Sequence, residues 1–184
     1  MEALSLSTLI VALAEIGDKT QLLALLLAAR FRKPWPIIFG ILLATVANHA
    51  LAAAIGAWVS SQFSPEVLRW TLGLSFFAIA AWTLVPDSMD EEDAGWYRHG
   101  AFVATLVLFF LAEIGDKTQV ATVALAAQFS DTLMVIAGTT LGMLLANVPV
   151  VLLGHFAADR LPLNIIRAVA ACLFVAMGLY VLLD

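Results

Sequence analysis

Six long apolar stretches, separated by short polar breaks, restrict this chain more than any other feature of its sequence. At about 1.5 Å per residue, each stretch is long enough to cross a bilayer as a helix. Apolar residues make up 62% of the 184 residues and charged residues 12%, against roughly 45–50% and 25% in soluble proteins. The sequence therefore predicts an all-α integral membrane protein with six transmembrane helices, at residues 4–29, 36–59, 66–86, 100–127, 132–154 and 163–183.

The two halves of the chain repeat one another. Glu15-Ile-Gly-Asp-Lys-Thr-Gln21 recurs unchanged as Glu113-Ile-Gly-Asp-Lys-Thr-Gln119, at an offset of 98 residues. Three spans per half is an odd number, so the second half must enter the membrane from the opposite side. We therefore predict two inverted three-helix repeats, a plan that places transporter sites at the repeat interface. The predicted divisions are a first repeat at 1–86, an acidic cytoplasmic linker at 87–99 and a second repeat at 100–184.

Basic residues predict the orientation of these spans. If the N-terminus lies outside, Arg69 is the one basic residue on the outer side, and the other basic residues outside the two motifs fall on the inner side. This distribution follows the positive-inside rule, so both termini are expected outside the cytoplasm. The inner set is Arg30, Arg32, Lys33, Arg98, Arg160 and Arg167.

Each copy of the motif places a Glu, an Asp and a Lys near the middle of a predicted span. At roughly 2.5–3.5 kcal/mol per central charge, six isolated charges would cost on the order of 15–20 kcal/mol. That exceeds the roughly 5–15 kcal/mol by which most folds are stable. The charged side chains must therefore face one another, water or a bound ion.

The spacing within the motif suggests how these groups are arranged. On a continuous helix, Asp18 at i+3 and Lys19 at i+4 flank Glu15 within one turn. If the two motif helices meet, four carboxylates and two lysines converge, with a formal charge of −2 that one divalent cation or two protons would neutralise. The predicted metal ligands are Glu15, Asp18, Glu113 and Asp116. The alternative is a pair of intrahelical ion pairs, Glu15–Lys19 and Glu113–Lys117, with no metal function.

Other residues are candidates for supporting roles. Gly17 and Gly115 permit either close helix packing or local unwinding that exposes carbonyl ligands. His49 has no counterpart in the second half and is a candidate for a proton relay. Asn48 and Asn147 offer amide oxygens to a metal or interhelical hydrogen bonds. The full supporting set is Lys19, Lys117, Asn48, Asn147, Gln21, Gln119, Thr20 and Thr118.

The chemistry of these side chains favours a hard cation. Oxygen-rich sites select Ca²⁺, Mg²⁺ or Mn²⁺, whereas zinc and copper sites would use clustered His or Cys. Cys172 is the single cysteine, so no thiolate site is expected. Because withdrawal from water disfavours a charged carboxylate, the same groups could bind protons when the cation leaves. Cation/proton exchange is therefore our hypothesis, with no resident cofactor and no enzymatic reaction.

Two E-x-G-D-[KR]-[ST] motifs in a small six-span protein resemble one known family. It comprises Golgi and chloroplast calcium/manganese transporters and bacterial manganese exporters, related more distantly to the lysine exporters. Both motifs match in full, and the twofold three-helix plan covers the whole chain. The resemblance implies cation/proton antiport, with Glu15, Asp18, Glu113 and Asp116 as the acidic positions. Without a targeting extension the chain resembles the minimal bacterial form, for which the implied task is Mn²⁺ export across the inner (plasma) membrane.

Several alternatives stay open at this point. Ca²⁺ could replace Mn²⁺ as the transported ion. The predicted helical bundle would also fit three other functions, namely an amino-acid exporter, an intramembrane metal-dependent hydrolase and a structural subunit of a larger complex. The acidic segment Asp87–Asp93 either concentrates cations or simply joins the repeats. The expected partners are a divalent metal ion, protons and the lipid bilayer, with no nucleic acid, and the oligomeric state is unknown.

Overall fold

The computed structural model describes residues 1–85, 95–153 and 163–183. In these ranges the chain forms eight α-helices and a short 3-10 helix at Trp96–His99, and it contains no strand. The predicted acidic linker, apart from residues 95–99, lies outside the described residues, as do His155 and Arg160. The α-helices are α1 (Glu2–Glu15), α2 (Lys19–Phe31), α3 (Pro34–Gln62), α4 (Pro65–Thr83), α5 (Ala101–Glu113), α6 (Lys117–Gln128), α7 (Thr132–Leu153) and α8 (Leu163–Leu183).

Within the described ranges, three helices are long and apolar enough to cross a membrane, namely α3, α7 and α8. This agrees with the predicted all-α membrane class. The fourth helix, α4, corresponds to the predicted span at 66–86 and ends at Thr83. The predicted spans at 4–29 and 100–127 are each divided into two shorter helices, α1 with α2 and α5 with α6. The prediction of six continuous helices is therefore wrong at these two places.

Both breaks occur inside the repeated motif and have the same backbone cause. Gly17 and Gly115 have φ angles of +81° and +75°, which glycine adopts without the steric penalty that a β-carbon brings. The preceding isoleucines are extended, and each following aspartate caps the next helix by accepting a backbone N–H. Local unwinding at the glycines was one of the two interpretations of the sequence, and it is the one that the structure adopts.

The breaks correct the predicted spacing of the charged residues. Glu15 is the last residue of α1, while Asp18 is the N-cap of α2 and Lys19 its first residue. The side chains of Glu15, Asp18 and Lys19 therefore do not lie on one turn of a continuous helix, and Lys19 is not an i+4 neighbour of Glu15. Glu113, at the end of α5, is separated from the start of α6 in the same way.

Helices of the first half pack mainly against helices of the second. The helix α1 lies along α7, and its repeat counterpart α5 lies along α3, while α6 contacts α3 and α2 contacts α7. Gly142 lies where α7 crosses α1, because an added β-carbon there would come within 2.7 Å of the Thr8 carbonyl oxygen. The small-residue pair Gly138-xxx-Gly142 thus serves packing between α7 and α1. The remaining helices α4 and α8 pack mainly against each other.

Candidate metal centre

The two broken helices bring carboxylates from both motifs together. One carboxylate oxygen each from Glu15, Glu113 and Asp116 lie within 4.8 Å of one another. All four predicted ligands are buried, with relative exposures of 0% for both glutamates, 1% for Asp18 and 2% for Asp116. Residues 98 positions apart in the sequence therefore share one water-poor centre, in which oxygen is the common donor atom.

The two glutamates accept equivalent hydrogen bonds from the threonines of their own motifs. Thr20 Oγ1 donates a hydrogen bond to Glu15 Oε2 at 2.5 Å, and Thr118 Oγ1 donates to Glu113 Oε2 at 3.1 Å. The other oxygen of each carboxylate, Oε1, is buried and has no hydrogen-bond partner within the described ranges. A buried acceptor without a partner is unfavourable, and a cation would satisfy both oxygens. The two threonines thus orient the glutamates rather than neutralise them.

The lysines bind the aspartates of the opposite motif. Lys19 Nζ lies 3.3 Å from Asp116 Oδ1, and Lys117 Nζ lies 3.1 Å from Asp18 Oδ1. The two ion pairs therefore cross between the repeats in both directions. The alternative of intrahelical Glu–Lys pairs within each motif is wrong, because the helix breaks separate each lysine from the glutamate before it.

The two glutamines close the breaks and do not point free oxygens at the centre. Gln21 Oε1 accepts a hydrogen bond from the Gly17 N–H at 2.9 Å, and Gln119 Oε1 accepts from the Gly115 N–H at 2.8 Å. Their amide nitrogens reach across the interface. Gln21 Nε2 donates to the Ala146 carbonyl at 3.0 Å. The repeated Gln thus fixes the shape of each break and joins it to the other half of the chain.

The two asparagines differ in their contacts. Asn48 Oδ1 accepts a hydrogen bond from Gln119 Nε2 at 2.6 Å, and its Nδ2 donates to the Phe110 carbonyl at 2.9 Å. This is the interhelical bonding that one interpretation of the sequence expected. Asn147 Nδ2 instead donates within its own helix to Met143, and its Oδ1 is buried without a partner in the described part of the chain. Only Asn147 therefore keeps an amide oxygen available for a cation.

Two residues outside the motifs also reach this region. Arg167 Nη2 donates to the Gly17 carbonyl at 3.3 Å, although the sequence placed it only among the basic residues on the inner side. His49 Nε2 lies 4.0 Å from Glu113 Oε2. The contact of Arg167 was missed because the position of a helix end relative to a broken helix is a tertiary feature. The one indication in the sequence is that Arg167 corresponds to Arg69 in the first half, at the same offset of 98 residues as the two motifs.

The electrostatics of the centre favour a cation. The C-terminal ends of α1 and α5, which carry partial negative charge, lie at Glu15 and Glu113, and the N-terminal ends of α2 and α6, which carry partial positive charge, are capped by Asp18 and Asp116. Four carboxylates and two lysines leave a formal charge of −2. Uncompensated charge of this size is costly away from water. One divalent cation bound to the glutamate oxygens would balance it, and the all-oxygen donor set of the motifs suits a hard ion.

Comparison with known proteins agrees with this chemistry. The model of the divalent cation/proton antiporter family GDT1 matches residues 3–91 and 101–184. A Vibrio cholerae protein named "Putative manganese exporter" is 59% identical over 180 residues, which cover 97% of this chain and 90% of that protein. A GDT1-like protein of Synechocystis is 28% identical over 95% of this chain and 93% of its own length. The GDT1-like protein 4 of Oryza sativa subsp. indica is 29% identical over 95% of this chain and 70% of its own length. No solved structure matches.

Proposed function

The chain belongs to the GDT1 family of divalent cation/proton antiporters, and on that premise we propose that it exports Mn²⁺ from the cytoplasm in exchange for protons. The family is one of transporters and not of enzymes. Mn²⁺ is chosen over Ca²⁺ because the Vibrio cholerae relative, 59% identical, carries a name that specifies manganese. An all-oxygen site binds either ion, so Ca²⁺ is the alternative that the experiment below must separate.

The observation that carries the proposal is the convergence of the two motifs in one buried centre. Glu15 and Glu113 supply unpartnered oxygens, and Asp116 supplies a third carboxylate within 4.8 Å. In this proposal they bind the cation together with Asp18. The lysines hold the aspartates in place and set the charge of the centre at −2. Amino-acid export gains no support, because both lysines of the centre are already paired with aspartates and are not placed to bind a substrate carboxylate.

The charge of the centre explains why cation and proton movements are coupled. A loaded centre is neutral with one divalent ion, and an empty centre is neutral with two protons on its carboxylates. An empty centre without protons would hold two uncompensated charges in a medium of low dielectric constant. The protein therefore changes conformation only with the cation or with protons in place. Because Mn²⁺ leaves and protons return, transport is an exchange and not a leak.

The same proposal specifies the topology. All six apolar stretches cross the membrane as two inverted three-helix repeats, with both termini outside the cytoplasm of a bacterium and the protein in its inner membrane. The support is that α1–α2 and α5–α6 are discontinuous at the same place of the two repeats. Paired discontinuous helices with the site at their breaks are typical of inverted-repeat transporters. The excess of basic residues on the inner loops supports the orientation.

The test is flux of Mn²⁺ and Ca²⁺ into proteoliposomes with an imposed pH gradient. The wild type is compared with Glu15→Gln and Glu113→Gln, which keep the side-chain size and remove one charge each. We expect Mn²⁺ flux that follows the pH gradient, reduced in each variant by about 100-fold or more, as expected for loss of a charge paired in a buried site. Glu66→Gln, at an exposed glutamate of α4, is the matched control and should transport normally.

Each other outcome has a definite meaning. Proton-coupled flux of Ca²⁺ in preference to Mn²⁺ would replace the substrate and keep the site. Normal Mn²⁺ flux in both glutamate variants would refute the site. No flux of either ion through folded wild-type protein would refute cation transport by this chain.

A further inference from the structure

His49, in α3, has an environment that packing alone does not explain. Its side chain is fully buried, at 0% relative exposure. Both ring nitrogens lack a hydrogen-bond partner within the described residues. A buried imidazole normally donates to a carbonyl or a carboxylate, because an unsatisfied buried polar group is unfavourable. The nearest charged atom is Glu113 Oε2, at 4.0 Å from Nε2, which is too long for a hydrogen bond.

The distance to Glu113 fits two ligands of one ion. With bonds of about 2.1–2.4 Å, two atoms bound to the same divalent ion lie at most roughly 4.2–4.8 Å apart. The separation of 4.0 Å between His49 Nε2 and Glu113 Oε2 falls within that limit. So does the 4.8 Å spread of the oxygens of Glu15, Glu113 and Asp116. An ion bound to Glu113 Oε2 would therefore lie within bonding reach of Nε2, although Nε2 is not one of the atoms that all lie within 4.8 Å of one another.

The position is also one at which the two repeats differ. Asn48 corresponds to Asn147, so the residue after it, His49, corresponds to Val148. The second repeat has no imidazole at this position. A residue that only filled space between the helices would have no need of ring nitrogens at one of two related positions. The nitrogen is thus an addition to a site that is otherwise built symmetrically from oxygens.

We propose that His49 Nε2 is a ligand of the transported cation and that it sets the preference of the site for Mn²⁺ over Ca²⁺. The inference rests on the proposed function and names the basis of its selectivity. Calcium takes oxygen ligands, whereas imidazole nitrogen binds divalent first-row transition ions. One nitrogen among the carboxylates therefore strengthens Mn²⁺ binding and contributes little to Ca²⁺ binding. The proton of the neutral ring then resides on Nδ1.

The first test compares ion preference in His49→Gln, which keeps most of the side-chain volume and removes the imidazole. Mn²⁺ affinity is expected to fall about tenfold or more, the scale seen when support for a metal ligand is lost, while Ca²⁺ affinity stays within about twofold. The ratio of the two affinities therefore falls. His99→Gln, at an exposed histidine, is the matched control and should keep the wild-type ratio. An unchanged ratio in His49→Gln, or an equal loss for both ions, overturns the inference.

The second test needs no substitution. Mn²⁺ bound to the purified wild-type protein is examined by electron spin-echo envelope modulation, with histidine at natural abundance and then with ¹⁵N-histidine. A directly bound imidazole gives a ¹⁴N modulation that changes to the ¹⁵N pattern on labelling. If Mn²⁺ binds but shows no nitrogen modulation, the assignment of His49 as a ligand is overturned and the proposed function is not affected. Absence of Mn²⁺ binding would instead contradict the proposed function, so the two failures are distinguishable.

Discussion

The two motif breaks have the same seven residues and different surroundings. At the first break, the Gly17 carbonyl accepts a hydrogen bond from Arg167, and a β-carbon added at Gly17 would lie 2.7 Å from the Leu163 side chain. At the second break, nothing would lie within 4 Å of a β-carbon at Gly115, and the neighbouring Ile114 is 53% exposed. The start of α8 therefore covers one break, while the other is uncovered in the described part of the chain.

The ion pairs show the same inequality. The Lys117 side chain, paired with Asp18, is 4% exposed, whereas the Lys19 side chain, paired with Asp116, is 28% exposed. Because the motifs are identical, the difference comes from the helices around them. The inverted-repeat arrangement that we propose would require this kind of inequality, since the two sides of such a transporter exchange the covered and uncovered arrangements during transport. The predictions below test whether the surroundings, and not the motif, set the properties of each half.

The largest difference is expected for the lysines. Replacing Lys117 by Met removes an ion-pair partner of the buried Asp18, which costs about 3–5 kcal/mol. Lys19→Met removes an ion-pair partner of Asp116, which is also buried, but the Lys19 side chain is 28% exposed and partly hydrated, so the loss should be smaller. The measurement is the unfolding free energy of both variants in detergent. Equal losses would show that the burial of the two pairs does not differ as described.

The glycines should show the next largest difference. Alanine at either position adopts a left-handed conformation, which costs roughly 1–2 kcal/mol. Gly17→Ala must in addition displace Leu163, so it should be less stable than Gly115→Ala by about 1 kcal/mol or more, the scale of overpacking. Thermal unfolding of the two variants measures the difference. The double variant Gly17→Ala/Leu163→Ala is the control, because it removes the contact, and its unfolding should then match that of a variant with both Gly115→Ala and Leu163→Ala.

A smaller difference is expected for the repeat-related arginines. Arg167→Gln removes a charged hydrogen bond to the Gly17 carbonyl, worth about 1.5–3 kcal/mol when fully buried and less at this half-buried position. Arg69, its counterpart, is exposed, and Arg69→Gln should change stability by no more than about 0.5 kcal/mol. Denaturant unfolding of both variants decides the point. A larger loss for Arg69→Gln would contradict the assignment of which break is covered.

The smallest expected effect is that of membrane potential on transport. Exchange of one Mn²⁺ for two protons moves no net charge, so the potential does no work on the cycle. Mn²⁺ flux at a fixed pH gradient should therefore be unchanged when the potential of the proteoliposomes is clamped with potassium and valinomycin. A flux that rises several-fold with potential would mean that the charge of the centre is not −2.

The sequence was sufficient for the class of protein and for most of the centre. The apolar content and the two charged motifs predict a membrane protein, and they favour a centre in which Glu15 and Glu113 come together, because six central charges are costly against lipid. The sequence left the helix breaks undecided, because the spacing of Glu15, Asp18 and Lys19 fits a continuous helix equally well. Only the backbone at Gly17 and Gly115 decides between the two.

The pairing of lysines with aspartates was also beyond the sequence. The charge of the centre is the same whether Lys19 pairs with Glu15 of its own motif or with Asp116 of the other motif. The contacts of Arg167 and His49 depend on how α8 and α3 lie against the breaks, and that placement depends on side-chain packing over the whole bundle. The short-range pattern of a sequence carries little of this information.

The central claim is that the two motifs form one shared cation site. The most direct test is calorimetric titration of the purified protein with Mn²⁺, for the wild type and for Glu15→Gln and Glu113→Gln separately. A shared site predicts one Mn²⁺ per chain in the wild type and loss of that binding in either variant. Two Mn²⁺ per chain, with one retained in each variant, would contradict a shared site and assign a separate site to each motif.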